Sequence, residues 1–489
     1  MCIERTRGVF NHATSKNFPG SFPCVLWSVR DAGEVEVPEA VSELPSARNA
    51  SSQAPEASDP DALTRDPEIE EMVSAVTLSR MSADLSTLVG FRTRNSCSTS
   101  SSLTQGIGAA RAHVRTQFRA IPLSTADDAF TSSFCGSSRT HRNVYAWIPG
   151  TEPSRIIVIG GHLDSRSTDA LSATQNAPGA NDSGSQASLV MEAARVMAGH
   201  SFRATVVFVT FTGEEQGLRG SRHFVSQIAS IFPGATVEAA LINDIVGGDI
   251  SANTDAMLHQ FRLFSPGTPR EKSSSTPNGT SDDTSPARGI MRHVGTWGGL
   301  YVPDMGIVPN LREDRPGRGS DHSSFLETGI AAVRFIETAE NTSHQHSSND
   351  LIANMTPAYM ARMARVVVAT AASLARAPSS PRSIVASGSN SSPVTVGWSA
   401  AATGGIDHYV VAARPITSNV YASRIVVPGS ASSATVSPST LGIPAGTSFF
   451  ISVAAVDADG HESLFAYPEY RCGTVCTVQS DSLDVTATL

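Results

Sequence analysis

Histidine, aspartate and glutamate residues stand directly after several short apolar runs of this 489-residue sequence. If the runs are parallel strands, their carboxyl ends meet at one edge of a sheet, and the side chains there lie close together. These residue types supply the nitrogen and oxygen ligands of zinc and similar ions. Any one of them alone would more often be structural, but as a set they predict a metal site. The candidates are His162 and Asp164 after the run 156–159, Asp182 in a glycine-rich loop, Glu214 and Glu215 after 205–211, Asp244 after 239–242, and His344 and His346 in the loop after 331–336.

The number of candidate ligands favours two metal ions. Two histidines and three or four carboxylates exceed what one tetrahedral zinc ion requires, and paired ions about 3.5–4 Å apart share ligands of these types. One of Glu214 and Glu215 could then bind metal while its neighbour acts as a general base. Other hydrolase motifs are missing from the sequence: it contains neither His-Glu-x-x-His nor Gly-x-Ser-x-Gly. The consecutive residues Ser320, Asp321 and His322 would point to opposite faces of an extended chain and could not form a catalytic triad.

The apolar runs alternate with stretches of helical periodicity, which is typical of an α/β domain. Several runs are almost wholly apolar, as expected of strands covered on both faces. We therefore expect a mostly parallel central sheet flanked by helices. The predicted strands are 144–148, 156–159, 205–211, 239–242 and 331–336, and the predicted helices begin at Asp66-Pro67 or cover 106–118, 186–198 and 357–376.

The pattern changes after the last predicted helix. A stretch rich in proline, serine and glycine, 378–392, predicts a linker, and the alternating runs beyond it predict a small β-sandwich. Trp398, Tyr409 and the run 453–457, followed by a turn at Gly460, resemble a fibronectin type III module. We expect this module to act as a spacer or to contact a surface or polymer. The predicted divisions are a disordered or targeting segment 1–64, a metal-binding domain 65–377, the linker 378–392, the sandwich 393–475 and a tail 476–489.

Composition narrows the classes of function. The 36 basic and 45 acidic residues give a net charge of −9, which argues against a nucleic-acid or anionic-membrane partner. No apolar stretch of the sequence reaches the roughly 20 residues that span a bilayer. We therefore expect a protein without a membrane span.

The six cysteines bear on the cellular compartment. Cys97 and Cys135 flank one segment, and Cys472 and Cys476 stand four residues apart, so two local disulfides would suit an oxidising compartment. Buried or unpaired thiols are the alternative. The first 30 residues show no continuous apolar core of a signal peptide. We expect an extracellular or periplasmic location, with the start site and the export route left open.

Five motifs follow one another in a recognisable order. They are His162-x-Asp164, Gly179-Ala-Asn-Asp182-Ser-Gly184, Gly213-Glu214-Glu215, Asn243-Asp244-Ile-Val-Gly247 and His346-x-x-x-Asp350. This order resembles the signature of the dizinc aminopeptidases of metallopeptidase clan MH, the bacterial leucyl-aminopeptidase-like exopeptidases. The match covers roughly residues 65–376. It implies the three-layer zinc-exopeptidase fold and two zinc ions in each chain.

The resemblance also implies a mechanism. A glutamate takes a proton from a water shared by the two zinc ions, the resulting hydroxide attacks the scissile carbonyl, and the glutamate returns the proton to the leaving amine. The expected reaction is hydrolysis of the N-terminal peptide bond of peptides or proteins. By this resemblance His162 and Asp244 hold one zinc ion, Glu215 and His346 hold the other, Asp182 bridges them, Asp164 orients His162, Glu214 is the general base, and Asp321 and His322 stand near the substrate pocket.

Two positions leave alternatives open. Well-known members of the family carry a tyrosine that steadies the oxyanion directly before the last zinc histidine, whereas this chain has Gln345 there. Either the Gln345 amide or another group must then donate that hydrogen bond. His344 could replace His346 as the ligand, although Asp350 follows His346 at the family's spacing.

The same fold also supports other reactions. A carboxypeptidase or a dipeptidase is the main alternative, since a carboxypeptidase needs arginines for the substrate carboxylate and three arginines precede Ser320. A glutaminyl-cyclase-like acyl transferase is disfavoured, because that chemistry resembles a single-zinc site and both His162 and Asp244 are present. The three arginines are Arg312, Arg315 and Arg318.

Overall fold

The computed structural model describes residues 63–266, 285–314, 318–421 and 423–478. Of the predicted N-terminal segment 1–64, only the last two residues lie within this part, and the predicted tail is described as far as Val478. The helices and strands before residue 378 are α1 Pro67–Ser74, α2 Leu78–Gly90, α3 Gly106–Arg119, β1 Ser124–Ser132, β2 Arg139–Ile148, β3 Glu152–His162, α4 Gln186–Met197, β4 Ala204–Phe211, α5 Arg219–Ile231, β5 Thr236–Asn243, β6 Gln260–Phe264, α6 Pro286–His293, α7 Gly299–Tyr301, β7 Gly306–Asn310, α8 His322–Leu326, β8 Ala332–Glu337 and α9 Pro357–Arg376.

Helix α1 begins where the sequence predicts it. The Asp66 carboxylate accepts a hydrogen bond from the backbone N–H of Glu68 at 2.8 Å, and Pro67 stands at the first helical position. The apolar stripe that follows divides between α1 and α2. Between them the chain is extended at Thr77, whose backbone N–H and hydroxyl donate to the Glu192 carboxylate of α4 at 2.7 and 3.2 Å. This bond to a neighbouring helix holds the chain out of the helical conformation.

An eight-stranded sheet lies at the centre, in the order β1-β2-β4-β3-β5-β8-β6-β7. The central strands β4, β3, β5 and β8 are parallel, and β2 and β6 pair with them antiparallel. The five predicted strands lie in β2, β3, β4, β5 and β8. Strand β1, which is polar and at the edge, was not predicted, and neither were β6 and β7, which have only five residues each.

Helices pack on both faces of the sheet. A Cβ added at Gly160 would lie 2.8 Å from the ring of Phe211, on the face covered by α5 and α8, and one added at Gly161 would lie 2.9 Å from Gln186 of α4. The two glycines therefore let both layers approach the end of β3 closely. This mixed α/β fold in three layers is the predicted fold class, and it fixes His162 between two packed layers.

The C-terminal part contains β9 Arg382–Ser389, β10 Ser392–Ser399, β11 Ile406–Pro415, β12 Ser423–Pro428, β13 Ser433–Val436, β14 Phe449–Asp457, β15 Tyr470–Cys472 and β16 Cys476–Val478. They form two antiparallel sheets, β13-β10-β9 and β12-β11-β14-β15-β16, around an apolar core that includes Trp398 and Tyr409. The predicted sandwich is present. Strand β9 lies inside the predicted linker 378–392, because its residues pair with β10 across a short turn. Strand β16 likewise lies in the predicted tail, and the likeness to a type III module stays a prediction.

Buried charged groups join the sandwich to the α/β part. Glu469 of the sandwich is 2 % exposed and accepts hydrogen bonds from Arg414 of β11 at 2.7 Å and from Arg292 of α6 at 3.0 Å. A second contact joins His461 of the sandwich to Asp66 at the start of α1, at 2.7 Å. Because both contacts cross from one part to the other, the described chain forms one compact unit.

Two disulfides are present, and they pair the cysteines that the sequence predicts. Cys97 bonds Cys135, and Cys472 bonds Cys476. The first links the loop after α2 to the loop between β1 and β2, and the second joins β15 to β16. Across the described stretches, no helix combines the length and the apolar character that crossing a bilayer requires.

Candidate metal centre

Side chains from five places in the chain meet at the carboxyl edge of the sheet. All five are ligands that the sequence predicts, and the topology brings them together because three of them end or follow neighbouring parallel strands. His162 ends β3, Glu215 follows β4, Asp244 follows β5, Asp182 lies in the turn Ala180–Ser185 before α4, and His346 lies in the loop between β8 and α9.

The five side chains form two groups that share Asp182. In the first group, Nε2 of His162 lies 3.3 Å from Oδ1 of Asp182 and 3.4 Å from Oδ1 of Asp244. In the second, Nε2 of His346 lies 3.1 Å from Oδ2 of Asp182 and 3.3 Å from Oε1 of Glu215. One oxygen of Asp182 therefore faces each group, as a bridging carboxylate requires.

The residues present fit zinc. Each group offers imidazole nitrogen and carboxylate oxygen, the ligand atoms that zinc takes in proteins. The carboxylates of Asp182, Glu215 and Asp244 have 4–6 % of their side chains exposed. Carboxylates buried so close together repel one another and require positive charge between them, which a divalent cation supplies.

Two backbone positions at the centre adopt the left-handed conformation that favours glycine. His346 has φ of 55°, and Ile245, which follows Asp244, has φ of 53°. A residue with a Cβ gives up about 1–2 kcal/mol in this region, so the surrounding packing must hold both in place. Such strained positions are typical of functional sites.

The loop that carries Asp182 is held by Asp350, the residue that follows His346 at the expected spacing. Its two carboxylate oxygens accept hydrogen bonds from the backbone N–H groups of Asn181 and Asp182, at 2.7 and 2.9 Å. The peptide bond between Asp182 and Ser183 is cis. Asp350 thus links the loop of the second histidine to the shared carboxylate.

Asp164 contacts His162 through a different atom from the one that a carboxylate–histidine pair would use. Its backbone carbonyl lies 2.9 Å from Nδ1 of His162, whereas its carboxylate is 3.9 Å away. The carboxylate instead accepts three backbone hydrogen bonds, from the N–H groups of Gly213, Glu214 and Glu215 at 2.9, 3.2 and 3.3 Å. Asp164 therefore holds both the metal-facing histidine and the turn that bears the two glutamates.

Glu214 lines the same cleft as the ligand side chains and is half-buried. Desolvation by the surrounding protein, together with the negative charges of Glu215 and Asp321, raises the pKa of Glu214 well above its ordinary value. A carboxylate of this kind can accept a proton from water near neutral pH and release it again.

The cleft above the metal groups has a volume of about 710 Å³. The two metal groups lie in its wall, and Glu214, Arg166 and Arg318 stand beside them. Such a volume is in the range of pockets that take small molecules or a few residues of a peptide.

An arginine lies beside each of the two candidate ligand carboxylates that are not shared, Asp244 and Glu215. The sequence analysis did not predict these two contacts. Arg334 of β8 is 1 % exposed, and its Nη2 lies 2.8 Å from Oδ2 of Asp244. Nε of Arg166 lies 3.4 Å from Oε2 of Glu215. The signal for Arg334 was an arginine inside an otherwise apolar strand, which needs a buried acidic partner.

Four other candidates of the sequence analysis do not belong to the two metal groups. Nδ1 of His344 lies 2.6 Å from Asp249, so the alternative ligand is engaged elsewhere. The Gln345 amide bonds Glu340 and Arg318. Asp321 and His322 are both buried at the start of α8, and in the part of the chain that the structure describes neither belongs to the cleft wall.

A model of peptidase family M28 matches residues 143–287. A probable zinc metalloprotease of Pyricularia oryzae is 34% identical over an alignment of 393 positions that covers 74% of this chain and 78% of that protein. The chain belongs to peptidase family M28. It is therefore a zinc metalloprotease, a hydrolase that acts on peptides or proteins.

Solved structures also resemble this M28 peptidase. The LapA aminopeptidase of Legionella pneumophila is 21% identical, with a TM-score of 0.48 over 66% of this chain and 78% of that one. A glutaminyl cyclase of Macrostomum lignano is 14% identical, with a TM-score of 0.48 over 63% of this chain and 92% of that one. At these values the likenesses do not distinguish between reactions.

Proposed function

We propose that this M28 peptidase is an aminopeptidase that binds two zinc ions and uses Glu214 as its general base. The observation that carries the proposal is the pair of histidine–carboxylate groups that share Asp182 beside Glu214. In this proposal His162 and Asp244 hold one ion, Glu215 and His346 hold the other, and Asp182 lies between them.

The chain's own residues handle the protons. Bound zinc lowers the pKa of an attacking water and polarises the scissile carbonyl. Glu214 takes the proton of that water and returns it to the leaving amine, a task that its raised pKa suits. Asp164 keeps the Glu214 backbone in place through the hydrogen bonds described above.

The charge of the cleft supports a substrate with a free amino group. When the three ligand carboxylates are set aside, four of the seven carboxylates in the wall remain, beside three arginines. All three arginines already face acidic side chains: Arg166 lies 3.4 Å from Glu215, Arg222 lies 2.9 Å from Glu327, and Arg318 lies 3.6 Å from Asp314. A substrate carboxylate would compete with these acidic groups, whereas a protonated amine is attracted to them.

A carboxypeptidase is the second candidate, and Arg318 is the observation that favours it. This arginine lines the cleft and also contacts Glu340. Of the other two arginines singled out in the sequence, Arg312 is exposed and Arg315 lies outside the described residues.

Substrate blocking separates the two candidates. We expect the protein to hydrolyse leucyl-p-nitroanilide and peptides with a blocked C-terminus, to leave N-acetylated peptides intact, and to lose activity with a chelator. Metal analysis of the same sample should give two zinc ions per chain. Cleavage that requires a free carboxylate, with the amine blocked or not, would establish the carboxypeptidase instead.

Replacing Glu214 by glutamine tests the general base. The change keeps the size of the side chain but removes the proton acceptor, so we expect kcat to fall by about 10²–10⁴-fold, with two zinc ions retained. Glu192→Gln is the matched control, because Glu192 is 2 % exposed and belongs to the Thr77 contact between α2 and α4. Wild-type kcat in Glu214→Gln would refute the assignment.

We also propose that the protein works in an oxidising compartment, outside the cell or in the periplasm. The two disulfides support this location. The C-terminal sandwich, as a type III-like module, would then act as a spacer or contact a surface or polymer.

A further inference from the structure

Gln345 does not supply the hydrogen-bond donor that the oxyanion of the proposed reaction needs. Its Nε2 donates to Oε1 of Glu340 at 3.2 Å, and its Oε1 accepts from Nη2 of Arg318 at 3.3 Å. The Gln345 side chain is thus turned toward these two groups, and Gln345 is buried. A carbonyl oxygen that gains negative charge in the cleft needs a donor from another residue.

Arg166 places a charged donor beside the metal groups. Its Nη2 lies 2.9 Å from Nδ1 of His346, and its Nε lies 3.4 Å from Oε2 of Glu215. The side chain is 26 % exposed and lines the cleft together with Glu214. It therefore stands between the ligand shell and the space that a peptide would occupy.

The backbone that carries Arg166 is fixed. The preceding Ser165 is buried; its Oγ accepts a hydrogen bond from the backbone N–H of Arg94 at 3.0 Å and donates to the carbonyl of Ala177 at 2.8 Å. The backbone at Arg166 is therefore held in place, although the guanidinium at the end of the side chain can move. Donors held in this way stabilise developing charge without reorganisation.

The donor of Arg166 is also available. A histidine that offers Nε2 to a metal carries its proton on Nδ1 and does not accept a hydrogen bond there. With Nε2 of His346 turned toward Asp182 and Glu215, Nδ1 is no acceptor for Arg166 in the metal-bound enzyme. Nη2 of Arg166 then lacks this acceptor, and a substrate oxygen in the cleft can take its place while Nε stays 3.4 Å from Oε2 of Glu215.

We propose that Arg166 stabilises the oxyanion, the role that the family's tyrosine fills elsewhere. This inference rests on the proposed function. As the water oxygen bonds to the carbonyl carbon, the π pair moves onto the carbonyl oxygen, and Arg166 donates a hydrogen bond to that oxygen without giving up its proton. When the pair returns, the C–N bond breaks, and the nitrogen takes the proton that Glu214 holds.

Arg166→Met tests the proposal, with Arg115→Met as the matched control. Arg115 is 24 % exposed and is bonded to Asp127 of β1. Loss of one oxyanion donor costs about 10²–10³-fold in kcat, so we expect that loss in Arg166→Met, with KM within a few-fold and two zinc ions retained. Arg115→Met should match the wild type.

Two further measurements distinguish a contact with the oxyanion from a structural role. An α-aminophosphonate that mimics the tetrahedral state should bind Arg166→Met weaker by the same factor as the loss in kcat/KM, whereas leucinol, which has no negatively charged oxygen, should bind equally to both. Added guanidinium should restore part of the activity of Arg166→Ala. Wild-type kcat, or a loss of kcat accompanied by loss of zinc, would overturn the proposal. Failure of the wild type to cleave leucyl-p-nitroanilide would instead overturn the proposed function.

Discussion

Replacing Arg94 by methionine should loosen the two loops that carry the candidate ligands His162 and Asp182. Arg94 is fully buried between α2 and α3. Its Nε donates at 2.9 Å to the carbonyl of Leu163, the residue after His162, and its Nη2 donates at 2.8 Å to the carbonyl of Gly179, in the loop of Asp182. One guanidinium thus sets the spacing of two ligand loops that are far apart in the sequence.

The size of the effect follows from these contacts. Methionine has a similar length but no donor, so the carbonyls of Leu163 and Pro178, 2.9 and 2.5 Å from Arg94, lose their donor, whereas that of Gly179 keeps the N–H of Gly184 at 2.8 Å. A buried carbonyl left unpaired costs about 1–3 kcal/mol, and removing a buried charge recovers part of that sum. Burial lowers the pKa of Arg94 to about 10, so the group is charged at neutral pH and balances Asp164, Asp182 and Asp350. We expect a net loss of about 3–5 kcal/mol.

Urea unfolding with and without zinc measures this loss, and metal analysis after dialysis measures the effect on the site. Arg111→Met is the control, because Arg111 is 5 % exposed and donates to the carbonyl of Ile107 in its own helix. We expect Arg94→Met to lose more stability than the control and to bind zinc more weakly. Equal losses in the two variants, or full zinc retention in Arg94→Met, would refute the argument.

Three other predictions follow. Removing zinc with a chelator should lower the unfolding temperature, and zinc should restore it, since an ion that binds the folded state stabilises it by about 2.7 kcal/mol at a hundred times its Kd. Asp164→Asn should lower kcat and cost about 1–3 kcal/mol in urea unfolding, because an amide N–H then faces backbone N–H groups. Burial lowers the pKa of His461, but hydrogen bonds to Asp457 and Asp66 outweigh burial, so the pKa is raised. Protonated His461 therefore stabilises the folded state fully below about pH 6.5. This stabilisation falls as the pH rises through the raised pKa. The stability difference between wild type and His461→Gln should be larger at pH 5.5 than at pH 9, and an equal difference would contradict the assignment.

The sequence could point to the five candidate ligands because much of their signal is local. Three of them end or follow strands that are apolar enough to be recognised, and the topology rule for parallel strands then brings these three to one edge. The choice between His344 and His346 needed the structure. His344 is drawn to Asp249 by a contact between distant loops, and His346 faces Asp182 from a left-handed backbone position. Neither fact has a signature in the sequence.

The features that the sequence analysis missed depend on partners far along the chain. Strand β9 is rich in serine and reads as a linker, yet it pairs with β10. The helix break at Thr77 depends on Glu192, 115 residues later. The roles of Arg94 and Arg166 likewise depend on loops that fold beside them, so composition and periodicity could not predict them.

The carboxylate of Glu469 has a consequence for how such chains can change during evolution. It neutralises Arg292 of the α/β part and Arg414 of the sandwich at once. A descendant that lost the C-terminal module by one deletion would expose Arg292 to water and would uncover the apolar core of the α/β part where Leu464 packs against it. Such a deletion would leave a charged and apolar surface without its present cover, which opposes the separate inheritance of the two parts.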